Sequence, residues 1–212
     1  MKPVIDYSIY LVTDENCLRG RSLLVCVEEA LTGGVTLVQY RAKNADSRVM
    51  YDEAVKLKAL CDKYRVPLII NDRLDIAQAV GAAGVHLGQD DLPCAVARQI
   101  LGADYVIGVS AHNPEEAVQA AAAGADYLGC GAVFGTATKQ DVAELGLANL
   151  RAIREAVTLP MVGIGGINVA NYAEVLATGA DGAAIVSGIL AQNDIKATVQ
   201  RLKRIVKQVN KI

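Results

Sequence analysis

Gln39, Arg41 and Lys43 lie two residues apart in VQYRAK, directly after the apolar run GVTL. Side chains alternate along a strand, so the three share one face and Tyr40 takes the other; for Lys43 this requires the extension to continue past Arg41. Two cations and an amide aimed one way suit an anion. The alternative is that they pair with local carboxylates on a solvated rim. Asp72 and Asp91 each follow a further short apolar run. Two hard oxygen ligands completed by a phosphorylated substrate are what Mg2+ usually takes. The competing reading makes both of them helix N-caps, because NDRLDIAQAV and DDLPCAVARQI each open a helix. Asp90 is the neighbouring candidate, but it and Asp91 alternate in direction, so one of the two points inward.

Glycine-rich turns supply the opposite kind of site. GIGG, with Gly165 and Gly166, and VSG, with Val186 and Ser187, can present backbone N–H groups to a phosphate, or can simply be tight turns. GTATKQD adds Thr136, Thr138 and Lys139 on a single loop. Cations, paired carboxylates and a backbone cradle together imply two phosphorylated groups, one bound with metal and one by backbone. The histidines offer less: His86 reads as an interior or wall residue, and His112 opens a helix at HNPEE.

These residues need a scaffold that gathers them. Strands are expected at 8–12, 35–40, 67–71, 85–88, 105–109, 127–134, 161–164 and 183–186, each short, apolar and bounded by Gly, Pro or Asp. Helical periodicity covers 48–64, 114–123, 147–157 and 195–209. The joints LTGGVTL, VGAAGVHL, AAAGADYL and LATGADGAAI each stop a helix at Gly and enter a strand soon after. Eight such units over 212 residues leave about 26 residues each, a tight βα spacing. Continuous apolar strands are those of a sheet buried on both faces. The expected architecture is therefore a single-domain TIM (β/α)8 barrel spanning residues 1–212; an open doubly wound sheet is disfavoured because TDENCLRGR, after the first strand, carries no dinucleotide fingerprint. In such a barrel the site forms at the C-terminal ends of the strands. That is where Gln39, Asn71, Asp72, Asp91, Ser110 and His112 fall, whereas the other ends are rich in Gly and Ala.

Composition excludes several classes. Net charge is −2, which gives no general attraction to nucleic acid or anionic membrane. With one Phe, no Trp and eight Tyr, base stacking has little material. Cys17, Cys26, Cys61, Cys94 and Cys130 are odd in number and never three apart, which argues against a disulfide framework or a zinc ribbon. No signal peptide or membrane span is expected, so the expected setting is cytoplasmic, with small phosphorylated molecules as partners; a homo-oligomer is compatible with the sequence.

VQYRAK, IIND, HLGQDD, GVSAH, VFGTATKQD, VGIGGI and AIVSGI, in that order from the second strand to the eighth, resemble the thiamine phosphate synthase family. The resemblance implies a (β/α)8 barrel that joins hydroxymethylpyrimidine diphosphate to a thiazole phosphate with Mg2+ and releases diphosphate. It implies that the segment Gln39, Tyr40, Arg41, Ala42 and Lys43, with Asn71, Ser110 and Lys139, holds the pyrimidine diphosphate. Asp72 and Asp91 would hold Mg2+. Thr136, Ala137, Thr138, Gly166, Val186 and Ser187 would hold the thiazole phosphate, Val186 through its backbone. Arg41, Lys43, Lys139 and Ser110 are the implied catalytic groups. The chemistry would be a dissociative substitution through a pyrimidine carbocation, which needs charge stabilisation but no base. Gly135 stands where some relatives have Pro, and 136–144 is the expected lid. A related thiazole tautomerase would require a histidine on the sixth strand, where Ala132 stands. A phosphate-ligand sensor would not need Asp72, Asp91 and Lys139 together, and a sugar-phosphate isomerase would want a clear base at a strand end.

Overall fold

The computed structural model describes residues 2–135 and 146–209. Strands β1 (Ile9–Val12), β2 (Leu37–Tyr40), β3 (Leu68–Asn71), β4 (Gly84–Leu87), β5 (Val106–Ala111), β6 (Tyr127–Gly131), β7 (Met161–Ile164) and β8 (Gly182–Ile185) pair in parallel in sequence order. β8 closes on β1 through Ile9 and Ala183. Between and after them run α1 (Leu23–Gly33), α2 (Ser47–Tyr64), α3 (Leu74–Val80), α4 (Cys94–Leu101), α5 (Pro114–Ala122), α6 (Gly146–Ala156), α7 (Tyr172–Leu176), α8 (Ser187–Leu190) and α9 (Ile195–Val209). This is a (β/α)8 barrel. The strand expected to reach 134 stops at Gly131. Beyond it Val133 and Phe134 donate to the carbonyls of Ile164 and Gly165, and Gly165 has φ 99°, so both chains turn there instead of extending the ladder.

Alternation sorts the strand residues into two cores. Tyr10, Val12, Leu37, Ile69, Val106, Tyr127, Val162 and Ala184 fill the barrel interior. Their neighbours Ile9, Leu11, Val38, Tyr40, Leu68, Ile70 and Val85 pack outward against the helices. Gly34 and Gly81 end α1 and α3 in left-handed conformations, and the same conformation at Arg65 ends α2 without glycine. α9 closes the outer ring: Val199 lies so close to α1 that a Cβ at Gly33 would sit 2.8 Å from its Cβ.

Interior space is limited at Gly108. A Cβ there would stand 2.1 Å from Cζ of Tyr127 and 2.5 Å from Nδ1 of His86. Gly108→Ala therefore overpacks the lumen and costs about 1–3 kcal/mol. Denaturant titration should show a lower midpoint with an unchanged slope.

The N-terminal rim is held by two similar clamps. Asp126, ahead of β6, accepts from the Ile107 N–H of β5 at 2.8 Å and from Arg98 of α4 at 2.6 Å. Asp181, ahead of β8, accepts from the Met161 N–H of β7 at 2.9 Å and from Arg154 of α6 at 3.3 Å. Each arginine also donates to a backbone carbonyl beyond its own helix, Arg98 to Tyr105 and Arg154 to Val157.

Candidate functional site

The C-terminal ends of the strands surround one cavity. Gln39, Arg41, Lys43, Asn71, Asp72, Asp91, Ser110, Gly166, Val186 and Ser187 all line it. β2 ends at Tyr40, so Lys43 does not reach the cavity by strand alternation; the loop after β2 carries it there. Tyr40 points the other way. It is 1% exposed, and its hydroxyl donates to Glu53 of α2 at 2.6 Å, so its side chain belongs to the wall behind the strand. Ala42 likewise packs against the outer core rather than lining the cavity. Thr136, Ala137, Thr138, Lys139 and the expected lid lie outside the described residues.

Arg41 pairs with Asp14 at 2.6 Å, with side chains 16% and 7% exposed. A local carboxylate thus exists, but it is buried and not on a solvated rim. Asp14 Oδ1 also accepts from the Asn16 N–H, and the Arg41 N–H donates to Thr13 Oγ1, so the loop after β1 holds the arginine at both ends. Sequence reasoning missed Asp14 and Thr13, although both stand at the end of a strand, the position that singled out the others.

Asp72 and Asp91 face each other. Neither caps a helix: the N-cap of α3 is Arg73 and that of α4 is Pro93. Asp72 is at φ 62°, a left-handed conformation that aspartate tolerates better than most residues. Its N–H continues the ladder to the His86 carbonyl at 2.9 Å while its side chain turns into the mouth. Asp91 Oδ2 accepts from the Gly88 N–H at 2.7 Å; Asp90 is exposed. Burial pushes the Asp72 carboxyl up to about 6; the hydrogen bond and charge of Asp91 add to this, and Lys43 and Arg41 oppose it. Two carboxylates forced together in this way suit a divalent cation. Among the described residues no cluster of three His, Cys, Asp or Glu could hold a metal.

On the far side of the mouth, Gly165 and Gly166 have φ 99° and 63°. A Cβ on Gly166 would stand 2.7 Å from the Gly135 carbonyl oxygen, so this turn admits glycine alone. Val186 precedes α8, and Ser187 is its first residue.

The floor is polar and connected. Gln39 Nε2 donates to the Tyr10 hydroxyl at 2.6 Å, which meets the Tyr127 hydroxyl at 2.8 Å. His86 Nδ1 lies 3.0 Å from that Tyr127 hydroxyl, and its Nε2 lies 3.1 Å from Ser110 Oγ. Burial raises the pKa of both tyrosines, so they stay protonated. Among the described residues no buried side-chain N or O lacks a partner. His86 is thus a satisfied interior residue. His112, also in the cavity wall, is held by Glu116 at 2.9 Å.

Comparison with known proteins yields the same family from three directions. Residues 9–189 match the family model described as thiamine monophosphate synthase. The chain is 53% identical over 202 residues to a thiamine-phosphate synthase of Clostridium novyi, covering 95% of this chain and 99% of the relative. A thiamine-phosphate synthase of Ruminiclostridium cellulolyticum is 51% identical over 205 residues, covering 97% and 98%. Among solved structures, a thiamine phosphate pyrophosphorylase from Pyrococcus furiosus superimposes with a TM-score of 0.89 at 42% identity, covering 96% of this chain and 97% of that one.

Proposed function

The chain belongs to the thiamine monophosphate synthase family, and from that premise we propose that its barrel mouth condenses 4-amino-2-methyl-5-hydroxymethylpyrimidine diphosphate with 4-methyl-5-(2-hydroxyethyl)thiazole phosphate or its carboxylated form. The observation that carries the reading is the opposition, across one cavity, of two cationic side chains and a glycine turn, both suited to phosphate. Arg41 and Lys43 lie by the carboxylate pair, and the Gly165–Gly166 turn and Ser187 lie opposite.

The C–O bond to the pyrimidine methylene breaks, and diphosphate leaves with the electron pair. The thiazole nitrogen then gives its lone pair to that carbon, forming the C–N bond and a thiazolium. No proton is transferred, so no base is required. Departure ahead of attack is favoured by the electron-rich aminopyrimidine, and the chain's task is to hold two rings together and stabilise the leaving charge. Arg41, positioned by Asp14, and Lys43 bind the diphosphate, with Asn71 and Ser110 as neutral partners. Gln39 takes the pyrimidine. The backbone of Gly166 and Val186 and the hydroxyl of Ser187 hold the thiazole phosphate. Mg2+ held by Asp72 and Asp91 would neutralise charge on the departing diphosphate. The strand N–H groups behind the site are used in the ladders with neighbouring strands, so the donors facing the cavity are side chains and turn amides. A tautomerase reading lacks its base, because Ala132 lines the cavity where that histidine would stand. The five free cysteines suit a reducing, cytoplasmic setting.

Incubation with both substrates and Mg2+ should yield thiamine phosphate and diphosphate in equal amounts. Absence of both products, with an active relative as control, overturns the proposal.

A further inference from the structure

The floor of the cavity contains a chain of hydrogen bonds that crosses the barrel from β2 to β5, through β1, β6 and β4. Its two ends, Gln39 and Ser110, line the cavity, whereas Tyr127 in the middle is fully buried. Each link has a limited number of protons, so the first bond sets the direction of the rest. Gln39 donates through Nε2 to the Tyr10 oxygen. The single Tyr10 proton is then directed to its other partner, the Tyr127 oxygen. The Tyr127 proton goes to His86 Nδ1, which must be an acceptor. A neutral His86 therefore carries its proton on Nε2 and donates to Ser110 Oγ.

We propose that this Gln39–Tyr10–Tyr127–His86–Ser110 chain is a one-way relay that fixes Ser110 as a hydrogen-bond donor and Gln39 Oε1 as an acceptor toward the substrate, with Tyr127 as its positioning residue. The substrate part rests on the function proposed above; the direction of the relay does not. With its oxygen already accepting from His86, the Ser110 hydroxyl has its proton free to point at an anion such as a diphosphate oxygen. Gln39, committed through Nε2, keeps an oxygen for an amino group. Reversing the relay would invert both ends, offering an amide N–H to an amino group. Gly108 and Gly129 fit this reading, since a side chain at either would displace the His86 ring. The rings of Tyr127 and His86 are 5.4 Å apart and tilted, so packing and hydrogen bonding hold one geometry.

Two measurements test this. The first is the ring 15N spectrum of histidine-labelled, ligand-free protein, with His112→Asn used to assign the two residues. The expected result is His86 protonated on Nε2, with that single form lost in Tyr127→Phe; a proton on Nδ1 in the native protein overturns the proposal even if the enzyme is fully active. The second is a double-mutant cycle. Tyr127→Phe should lower kcat/KM by about ten-fold in the native background and by less than about two-fold in Ser110→Ala, while the drop in Tm is the same in both. Equal losses of kcat/KM in the two backgrounds would mean that Tyr127 merely supports the fold, and the relay would be rejected.

Discussion

Arg41→Ala should lower kcat/KM for thiamine phosphate formation by about 10²–10³-fold, the usual effect of removing a well-placed donor to developing negative charge. The loss should fall on kcat more than on KM, because the arginine is asked to stabilise charge that grows as diphosphate leaves. A second effect follows from the ion pair. Arg41 and Asp14 are mostly buried, and removing one partner strands the other. The variant should lose about 2 kcal/mol, or about 4–8 °C in Tm, and remain folded at room temperature. Arg41→Lys should recover most of the stability and little of the rate, since an ammonium cannot reproduce the guanidinium fork between a carboxylate and a phosphate. Steady-state kinetics and calorimetry on the two variants separate these effects. A well-folded Arg41→Ala enzyme with near-native kcat would remove Arg41 from the diphosphate site.

Asp72→Asn should abolish Mg2+-supported turnover, by about 10³-fold, and yet make the metal-free protein more stable. The sign follows from the raised carboxyl. Between its ordinary value of 3.8 and about 6, the folded state binds more protons than the unfolded one, so stability falls as pH rises through that window. At pH 7 the full penalty is present. Solvent screening at a half-exposed group reduces it to about 1 kcal/mol, so Tm of the metal-free variant should rise by about 2–4 °C. Adding Mg2+ should raise Tm in the native protein and leave the variant unchanged. If the variant is less stable than the native metal-free protein at pH 7, the two carboxylates are not in conflict and the proposed metal site loses its support.

Much of this was legible in the residue order because a barrel strand carries two codes at once. Apolar content marks a strand buried on both faces, and alternation then separates Gln39 and Ser110, facing in, from Tyr40, facing out. Ordering by strand end gathered Asn71, Asp72, Asp91 and Ser187 without knowledge of any distance. What was not legible was the route by which two of the site residues arrive, because it depends on irregular backbone. Lys43 reaches the cavity through a loop, and Asp72 through a left-handed residue, and neither conformation has a period to read. The early end of β6 has the same origin, a turn shared with Gly165. Tyr10, Tyr127 and His86 were hidden for another reason. An aromatic on an apolar strand reads as core, and only the close approach across the lumen shows that their polar atoms are joined.

The clamps on the opposite rim recur one pair of strands apart: arginine from a helix, aspartate before a strand, amide from the strand between. Each lies within a contiguous quarter of the ring, apart from Lys2, which also pairs with Asp126, and borrows nothing from the other. Tolerance to change is therefore distributed unevenly around the molecule. The loops above the strands can be rewritten for a new ligand while these two quarters remain tied beneath, so the rim that confers robustness is inherited separately from the chemistry at the other end.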